Sequence, residues 1–297
     1  MITVNVMGGL GNQLFMIFTG LAYGIQYNQK VVFPIHNCMG ERGTYWDTFF
    51  KDLAIFTTSH PSNISENERA SFPKYAEPNY LYQPIPDFQG QNVCLFGYFQ
   101  SSKYFEQFQS IIKRILHLYD KQREIRENYA SFFFPLGVEN EEKEIVSIHF
   151  RMGDYKQKPG HHPIMNYEYF EGSLAHIMDR RSNVARVLYF CEAEDNEYVK
   201  KQIDMLKAKW PDIEFMKVDD QITDYNQLLI MSCCHHNIIS NSSFSWWGAY
   251  LNENPDKIVC YPSKWYGISY SHLTTSDLCP DSWTKITSEH VDPKMYL

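Results

Sequence analysis

Apolar and polar positions alternate along the chain between short apolar runs and longer segments with helical spacing. Residues 3–7 form a first short run, residues 12–29 carry apolar side chains at helical spacing, and residues 31–35 form a second run. This order predicts a strand, a helix and another strand. Residues 40–91 are rich in Pro, Ser, Asn and aromatic residues and have no clear period, so long loops with short helices are predicted there.

Two further elements are predicted in the first half of the chain. Residues 93–99 have the composition of a strand, and Ser101 caps a helix that runs to about residue 118. An acidic stretch at residues 139–144 follows. We interpret this stretch as the boundary between a domain of residues 1–142 and a domain of residues 143–297.

The second half alternates more regularly between strand and helix patterns. Such alternation is typical of a doubly wound parallel sheet, and because both halves open as βα units, two Rossmann-like domains facing across a cleft are predicted in an α/β fold. The predicted strands are residues 145–150, 185–191, 213–218, 236–240 and 258–261, and the predicted helices are residues 167–180, 196–210, 224–234 and a helix from about residue 242.

The composition is that of an ordinary globular protein. Of 297 residues, 44% are hydrophobic and 21% are charged, which argues against disorder. The net charge is −8 and the basic residues are scattered, so no nucleic-acid partner is predicted. We expect a cytoplasmic protein, because no apolar run reaches the roughly 18 residues of a membrane span and the first residues lack a basic signal region. The seven cysteines form no CxxC pair and are predicted to be reduced core residues.

The apolar run at residues 145–150 ends abruptly at Arg151, Gly153 and Asp154. In open α/β sheets, ligands bind beyond the carboxyl ends of the strands. Arg151 offers a planar, charged fork that suits phosphate oxygens, and Gly153 lets the backbone turn closely around a ligand. The alternative is a strand-end arginine that is simply paired with Asp154. His149 is either a buried core histidine or a contact to the same ligand.

A glycine turn, which contains Gly9 and Gly11 and is followed by Asn12, joins the first strand to the first helix. It either allows close packing or presents helix amides to a phosphate or a sugar. NAD binding is not predicted, because the strand at residues 31–35 does not end in an acidic residue for a ribose. A P-loop is excluded, because no Gly-Lys-Ser/Thr follows.

A polar segment at the next strand-to-helix junction begins at Asn241 and contains Ser242, Ser243, Phe244 and Ser245. Its hydroxyl groups and helix amides can bind an oxyanion, whereas the simpler interpretation is an N-capped helix whose tryptophans lie in the core. Two strand ends that suit phosphate, together with a glycine turn, predict a nucleotide diphosphate ligand.

Candidate metal ligands are weak in this chain. His161 and His162 are adjacent in a loop and lack the i, i+4 spacing of a helical metal pair, and Asp219 and Asp220 do not form an Asp-x-Asp motif. No metal site is therefore predicted.

Three motifs together resemble those of the α-1,2-fucosyltransferases of glycosyltransferase family 11. They are GGLGNQLF at residues 8–15, HFRMGDY at residues 149–155 and ISNSSFSWWGA at residues 239–249. Their order and spacing cover about residues 1–265. The resemblance implies a GT-B fold, GDP-β-L-fucose as donor, and inverting transfer to the 2-hydroxyl of a terminal galactose in an oligosaccharide. It also implies that no divalent metal or other cofactor is needed.

The resemblance further assigns roles to single residues. Arg151 matches the arginine that binds the donor pyrophosphate and assists the departure of GDP, and Asn12 matches an asparagine that reaches the sugar and phosphate. The predicted catalytic residues are Arg151, Asp154 and Asn12. The predicted donor-binding residues are His149, Arg151, Gly9, Gly11, Asn12, Asn241, Ser242, Ser243, Phe244 and Ser245.

Two departures from the family pattern stand close to these residues. Met152 occupies a position where many members carry a second arginine, which predicts a weaker grip on the donor. Residues 190–195, with sequence FCEAED, replace a more usual Ser-Asp-Asp and leave the contacts of that strand end open.

Three questions stay open at the level of sequence. The base that takes the acceptor proton is Asp154, His161, His162 or a carboxylate of the first half. The acceptor is a terminal galactose or another sugar. A catalytically inactive glycan- or nucleotide-binding protein is a further alternative, which the 16% of aromatic residues would suit but which the presence of Arg151 disfavours.

Overall fold

The structure, a computed structural model, describes residues 1–37, 43–133 and 143–288. The chain divides into two compact units. The first comprises Met1–Asp120 and Leu273–Pro280, and the second comprises Lys121–His272 and Asp281–Leu297.

This division falls about twenty residues before the boundary that we predicted after residue 142, a position outside the described residues. The difference has a physical reason in Gln122. Its side-chain Nε2 donates to Ser232 Oγ and to the Leu251 carbonyl, each at 3.0 Å, and both bonds are buried. The helix that carries Gln122 is therefore fastened to the second unit.

The first unit contains a parallel sheet whose described strands have the order β1-β3-β2. Its strands are β1 (Ile2–Val4), β2 (Lys74–Ala76) and β3 (Val93–Phe96), and its helices are α1 (Leu10–Gln26), α2 (Glu66–Ala70) and α3 (Gln109–Ile115), with 3-10 turns at Lys51–Phe56, Ser102–Tyr104 and Glu106–Phe108. Helix α1 buries every residue from 10 to 24 except Asn12, as its apolar spacing predicts.

The first unit differs from the predictions in three details. The helix predicted from Ser101 to about residue 118 is divided into 3-10 turns at Ser102–Tyr104 and Glu106–Phe108 and the helix α3. The strand predicted at residues 31–35 is reduced to two parallel bridges, Val31 with Ile2 and Phe33 with Thr57. Strand β2 was not predicted, because two of its three residues are exposed and give no apolar pattern. It nevertheless pairs in parallel with β3, in the register of Lys74 with Cys94.

The second unit contains a larger sheet, whose six described strands are all parallel and have the order β6-β5-β4-β7-β8-β9. These strands are β4 (Glu144–His149), β5 (Val184–Phe190), β6 (Glu214–Lys217), β7 (His236–Ile238), β8 (Val259–Pro262) and β9 (Thr284–Ile286). In chain order this is the 3-2-1-4-5-6 arrangement of a doubly wound sheet, with its switch point between β4 and β7. The predicted α/β fold, with a parallel sheet in each unit, is confirmed.

Helices pack against the second sheet and bury its apolar side chains. Phe150, just after β4, packs against Phe170 of the helix Tyr167–Met178 with ring centroids 4.1 Å apart, and the Tyr169 hydroxyl donates to the Cys260 carbonyl at 3.2 Å. The helices are α4 (Leu118–Asn128), which begins at the end of the first unit, α5 (Ala130–Phe133), α6 (Tyr167–Met178), α7 (Asn196–Lys209), α8 (Asp224–Ser232) and α9 (Ser243–Tyr250).

Two sequence expectations concern the chain as a whole. In the described residues, no helix combines the length and the apolar character that crossing a membrane requires. The described cysteines are buried and free, as predicted, at positions 94, 191, 233, 234, 260 and 279. Cys38 lies outside the described residues.

Candidate active site

Arg151 lies just beyond the carboxyl end of β4, at the switch point of the second sheet. Its backbone N–H donates to Ser240 Oγ at 3.2 Å, and that hydroxyl donates to the His149 carbonyl. The ends of β4 and β7 are thus tied together at the position where doubly wound sheets open a crevice for ligands. The sequence predicted that Arg151 lies at a strand end. The strand order shows that this strand end is at the switch point of the sheet.

Two carboxylates hold the guanidinium of Arg151. Its Nη2 donates to Asp154 and its Nη1 donates to Glu192, which follows the neighbouring strand β5. The Arg151 side chain is 13% exposed, whereas those of Asp154 and Glu192 are 47% and 54% exposed. Burial opposes the charge of Arg151, but Tyr155, Glu192 and Asp154 outweigh it and raise its pKa. The arginine stays charged, and the carboxylates occupy the donors that a diphosphate would use.

Tyr155 supports one face of the guanidinium. Arg151 Cζ lies 4.5 Å from the centroid of its ring, which stacks on His162 at 4.5 Å and 18°. Its hydroxyl donates to the Asn241 carbonyl at 3.2 Å, and burial lowers the pKa of His162. The two histidines that we considered as bases take part in packing, since His161 also meets the Tyr270 ring edge-on at 4.8 Å.

Gly153 lets the loop close tightly around Arg151. Its φ is +38°, and a Cβ at this position would lie 2.6 Å from Arg151 Nη1 and 2.5 Å from Glu192 Oε1. Its N–H donates to the buried Asp195 Oδ2 at 3.0 Å, and Lys156 Nζ donates to Asp195 Oδ1 at 2.6 Å. Asp195 therefore anchors the loop that carries the arginine.

Glu192 and Asp195 are two residues of the site that were not predicted from the sequence. Both belong to residues 190–195, which we had identified only as a departure from the family pattern. The available signal was their position directly after a predicted strand. This signal places the two residues in the site only if β5 is known to lie beside β4, and the sequence does not reveal the strand order.

His149 is buried at the end of β4 and is held in its neutral form. Burial, reinforced by the charge of Arg151, lowers its pKa to about 3. Its ring lies 5.5 Å from that of Phe244, and within the described residues its buried Nδ1 has no hydrogen-bond partner. A buried nitrogen without a partner costs free energy, so this atom is suited to a contact with a bound ligand.

Asn241 joins two loops beside the site. Its Nδ2 donates to the carbonyls of Pro163 and Trp265, each at 3.0 Å. In the described chain its buried Oδ1 has no hydrogen-bond partner. The Nδ2 group therefore holds the two loops together, and Oδ1 is the side-chain atom that remains for the predicted contact with the donor substrate.

The serines of the polar segment mainly form the start of α9. Ser242 Oγ accepts from the Phe244 N–H at 3.3 Å, and the buried Ser245 Oγ donates to the Ser242 carbonyl at 3.4 Å. Ser243 and Phe244 are half-buried in the first turn. Of the predicted donor-binding residues of this helix, Ser243 and Phe244 are the best placed for direct contact, beside the helix N-terminus.

The tryptophans of this segment lie in the core, as the simpler interpretation predicted. Trp246 and Trp247 are both 0% exposed, with ring centroids 5.1 Å apart. Trp246 also stacks on Tyr250 at 4.8 Å. They position α9, and neither has a free face on which a sugar could stack.

The remaining predicted residues lie in the first unit, at the carboxyl end of β1. Asn12 Oδ1 accepts from Gln100 Nε2 at 2.9 Å. Gly9 is the N-cap residue of α1 and gives it no side-chain cap, and Gly11 is buried in the first turn. The amides of this turn therefore lie at the ligand-binding edge of the first sheet.

The described residues contain no group of three or more His, Cys, Asp or Glu side chains that could hold a metal ion. Asp220 accepts instead from Asn196 Nδ2 at 2.7 Å and pairs with Lys217. This ion pair lies at the end of β6.

Comparisons with known proteins found relatives by sequence and a neighbour among solved structures. The chain is 25% identical to an α-1,2-colitosyltransferase from Escherichia coli, over 96% of this chain and 98% of that protein. It is 22% identical to a galactoside 2-α-L-fucosyltransferase from Caenorhabditis elegans, over 96% of this chain and 79% of that protein. The solved structure of the E. coli ADP-heptose lps heptosyltransferase II aligns with a TM-score of 0.47 and 9% identity, covering 99% of this chain and 96% of that chain.

The family assignment rests on a separate match. The glycosyl transferase family 11 pattern matches residues 49–286, which is most of the chain and includes the whole loop around Arg151. The predicted family is thereby confirmed, and the chain belongs to glycosyl transferase family 11.

Proposed function

We propose that this glycosyltransferase moves L-fucose from GDP-β-L-fucose to the 2-hydroxyl of a terminal galactose, with inversion to an α-1,2 linkage and without a divalent metal. In this account the second unit holds the donor through Arg151, Ser243 and Phe244. The first unit, with Gly9, Gly11 and Asn12 at the edge of its sheet, holds the acceptor and meets the sugar being transferred.

The observation that carries the proposal is the position of Arg151. Its side chain, which is 13% exposed, places a charged fork at the switch point of a doubly wound sheet, where β7 leads into α9. A leaving diphosphate gains negative charge as the bond to the anomeric carbon breaks, and fixed donors at that point stabilise the transition state. The guanidinium and the helix amides supply positive charge that a bound divalent cation would otherwise supply.

The donor sugar has a second candidate, favoured by one specific observation. A relative that aligns over nearly the whole of both chains is named an α-1,2-colitosyltransferase. Colitosyl transfer would use the same pyrophosphate contacts and the same displacement, so Arg151 does not distinguish the two donors. A donor panel does.

The proposal is tested by incubating the protein with GDP-fucose and lactose in EDTA and measuring GDP release and 2′-fucosyllactose. We expect both products to form at equal rates. A protein that uses nucleotide-activated colitose but not GDP-fucose would contradict the donor assignment. Activity lost in EDTA and restored by Mg²⁺ would contradict metal independence, and a product on a non-galactose sugar alone would contradict the acceptor.

Glu192 gives a further prediction, because it pairs with the same guanidinium that the diphosphate needs. Glu192→Gln removes a competing charge, and GDP should bind about fivefold more tightly, since an exposed, screened carboxylate is worth about 1 kcal/mol. Glu194→Gln is the matched control, because Glu194 is similarly exposed but pairs with Lys156. Weaker GDP binding in Glu192→Gln would mean that Glu192 itself contacts the donor.

A further inference from the structure

Glu77 directly follows β2, at the carboxyl edge of the sheet in the first unit. Its backbone N–H donates to the Phe96 carbonyl at 2.8 Å, so the pairing of β2 with β3 continues to this residue. The same edge carries Gln100, which follows β3 and donates to Asn12 at 2.9 Å. Glu77 therefore lies at the edge where ligands of such sheets bind, together with a residue already predicted to meet the sugar.

The chain bends closely around the carboxylate of Glu77. Its Oε2 accepts the backbone N–H groups of Tyr98 and Phe99, each at 2.9 Å. A Cβ on Gly97 would lie 2.3 Å from Glu77 Cβ, so only glycine allows this approach. Within the described residues, Oε1 takes no hydrogen bond. One oxygen is thus fixed by the backbone, and the other remains for a ligand.

The surroundings of Glu77 increase its basicity. Burial raises its pKa, and the two backbone N–H bonds from Phe99 and Tyr98 only partly oppose this. The titratable side chains that interact electrostatically with it are Tyr75 and Tyr104, both neutral phenols near pH 7 whose own pKa values are raised by burial and by the charge of Glu77. No cation is among these partners to stabilise the carboxylate. A carboxylate with a raised pKa accepts a proton more readily than an ordinary one.

We propose that Glu77 is the general base of the transfer reaction, an inference that rests on the proposed function. Its Oε1 takes the proton of the acceptor hydroxyl while the oxygen of that hydroxyl forms its bond to the anomeric carbon of fucose. The bond from this carbon to the phosphate oxygen breaks, and GDP leaves with the electron pair. Atoms and charge balance without a further reactant.

The competing explanation is that Glu77 only holds the turn at residues 97–99. Glu77→Gln separates the two roles, because the amide oxygen of glutamine can still accept both backbone N–H groups, but the side chain cannot take a proton. We expect transfer to fall about 100-fold or more, with an unchanged urea midpoint and unchanged GDP affinity. The acidic limb of the pH profile, along which wild-type transfer falls as Glu77 is protonated, should disappear. Glu68→Gln, an exposed carboxylate on α2, is the matched control and should leave transfer unchanged.

A second measurement uses azide as the acceptor of Glu77→Ala. Azide carries no proton, so its attack on the anomeric carbon releases GDP and forms fucosyl azide without a base. We expect azide to restore GDP release in Glu77→Ala and not in Arg151→Ala. If Glu77→Gln keeps wild-type transfer, or azide rescues nothing, Glu77 is not the base. If the wild-type protein transfers no fucose, the proposed function is wrong. This result differs from a failure of Glu77 as the base, in which the wild-type protein is active.

Discussion

We expect Arg151→Ala to lower the proposed fucosyl transfer about 100- to 1000-fold, the effect that follows when a preorganised donor to a developing anion is removed. The Arg151 side chain is only 13% exposed at the switch point, so water cannot fully replace its charge. The loss should appear in kcat as well as in KM, because the charge on the leaving diphosphate increases in the transition state. Steady-state kinetics of GDP release measure both constants.

Two control variants test whether the loss of activity depends on the geometry and position of Arg151. Arg151→Lys keeps a charge but loses the fork that bonds Asp154 and Glu192, and we expect it to recover only a small part of the activity. Arg123→Ala removes an exposed arginine that is also paired with a carboxylate, Glu127, and should have wild-type kinetics. Equal losses in Arg151→Ala and Arg123→Ala would show that the effect is not located at the strand end.

Replacing Trp246 with alanine destabilises the protein by about 3 to 5 kcal/mol, as expected when a large ring is removed from a close-packed core. Trp246 is 0% exposed, stacks on Tyr250 at 4.8 Å and packs against Trp283 at 5.4 Å. Urea denaturation measures the change in the free energy of unfolding. Tyr119→Ala, which removes a ring that is 74% exposed, is the control and should change it little.

The same variant tests how the tryptophans of the late motif act. Because Trp246 lies on the buried face of α9, Trp246→Ala should retain GDP affinity in its folded fraction at low temperature. A variant that stays fully stable but loses transfer would show that the ring meets the substrate directly.

Much of the second unit could be predicted from the sequence. Apolar runs mark β4, β5 and β7 because strands of a parallel sheet are buried on both faces, and the polar residues that end these runs mark the ligand edge. Arg151 and Ser243 were identified in this way. The pairing of Arg151 with Glu192 was not predicted, because it depends on β4 lying beside β5, and periodicity within a segment carries no information on strand order.

The first unit shows where sequence patterns stop being informative. Strand β2 consists of Lys74, Tyr75 and Ala76, of which two are exposed, so no apolar pattern marks it. Glu77 follows this unmarked strand, and its carboxylate is fixed by backbone amides 21 and 22 residues away in the chain. Only the pairing of β2 with β3 brings these groups together. Asn12 was identified because it lies in a motif at the glycine turn, whereas Glu77 lies in no recognised motif.

In the mechanism that we propose, Arg151 binds the diphosphate of the donor at the end of β4. Calorimetric titration of wild-type protein and Arg151→Ala with GDP, and separately with guanosine, tests it most directly. We expect the variant to bind GDP at least tenfold more weakly, a loss of about 1.4 kcal/mol or more, while guanosine binds both proteins equally. GDP affinity that is the same in both proteins, or an equal loss for guanosine and GDP, would contradict it.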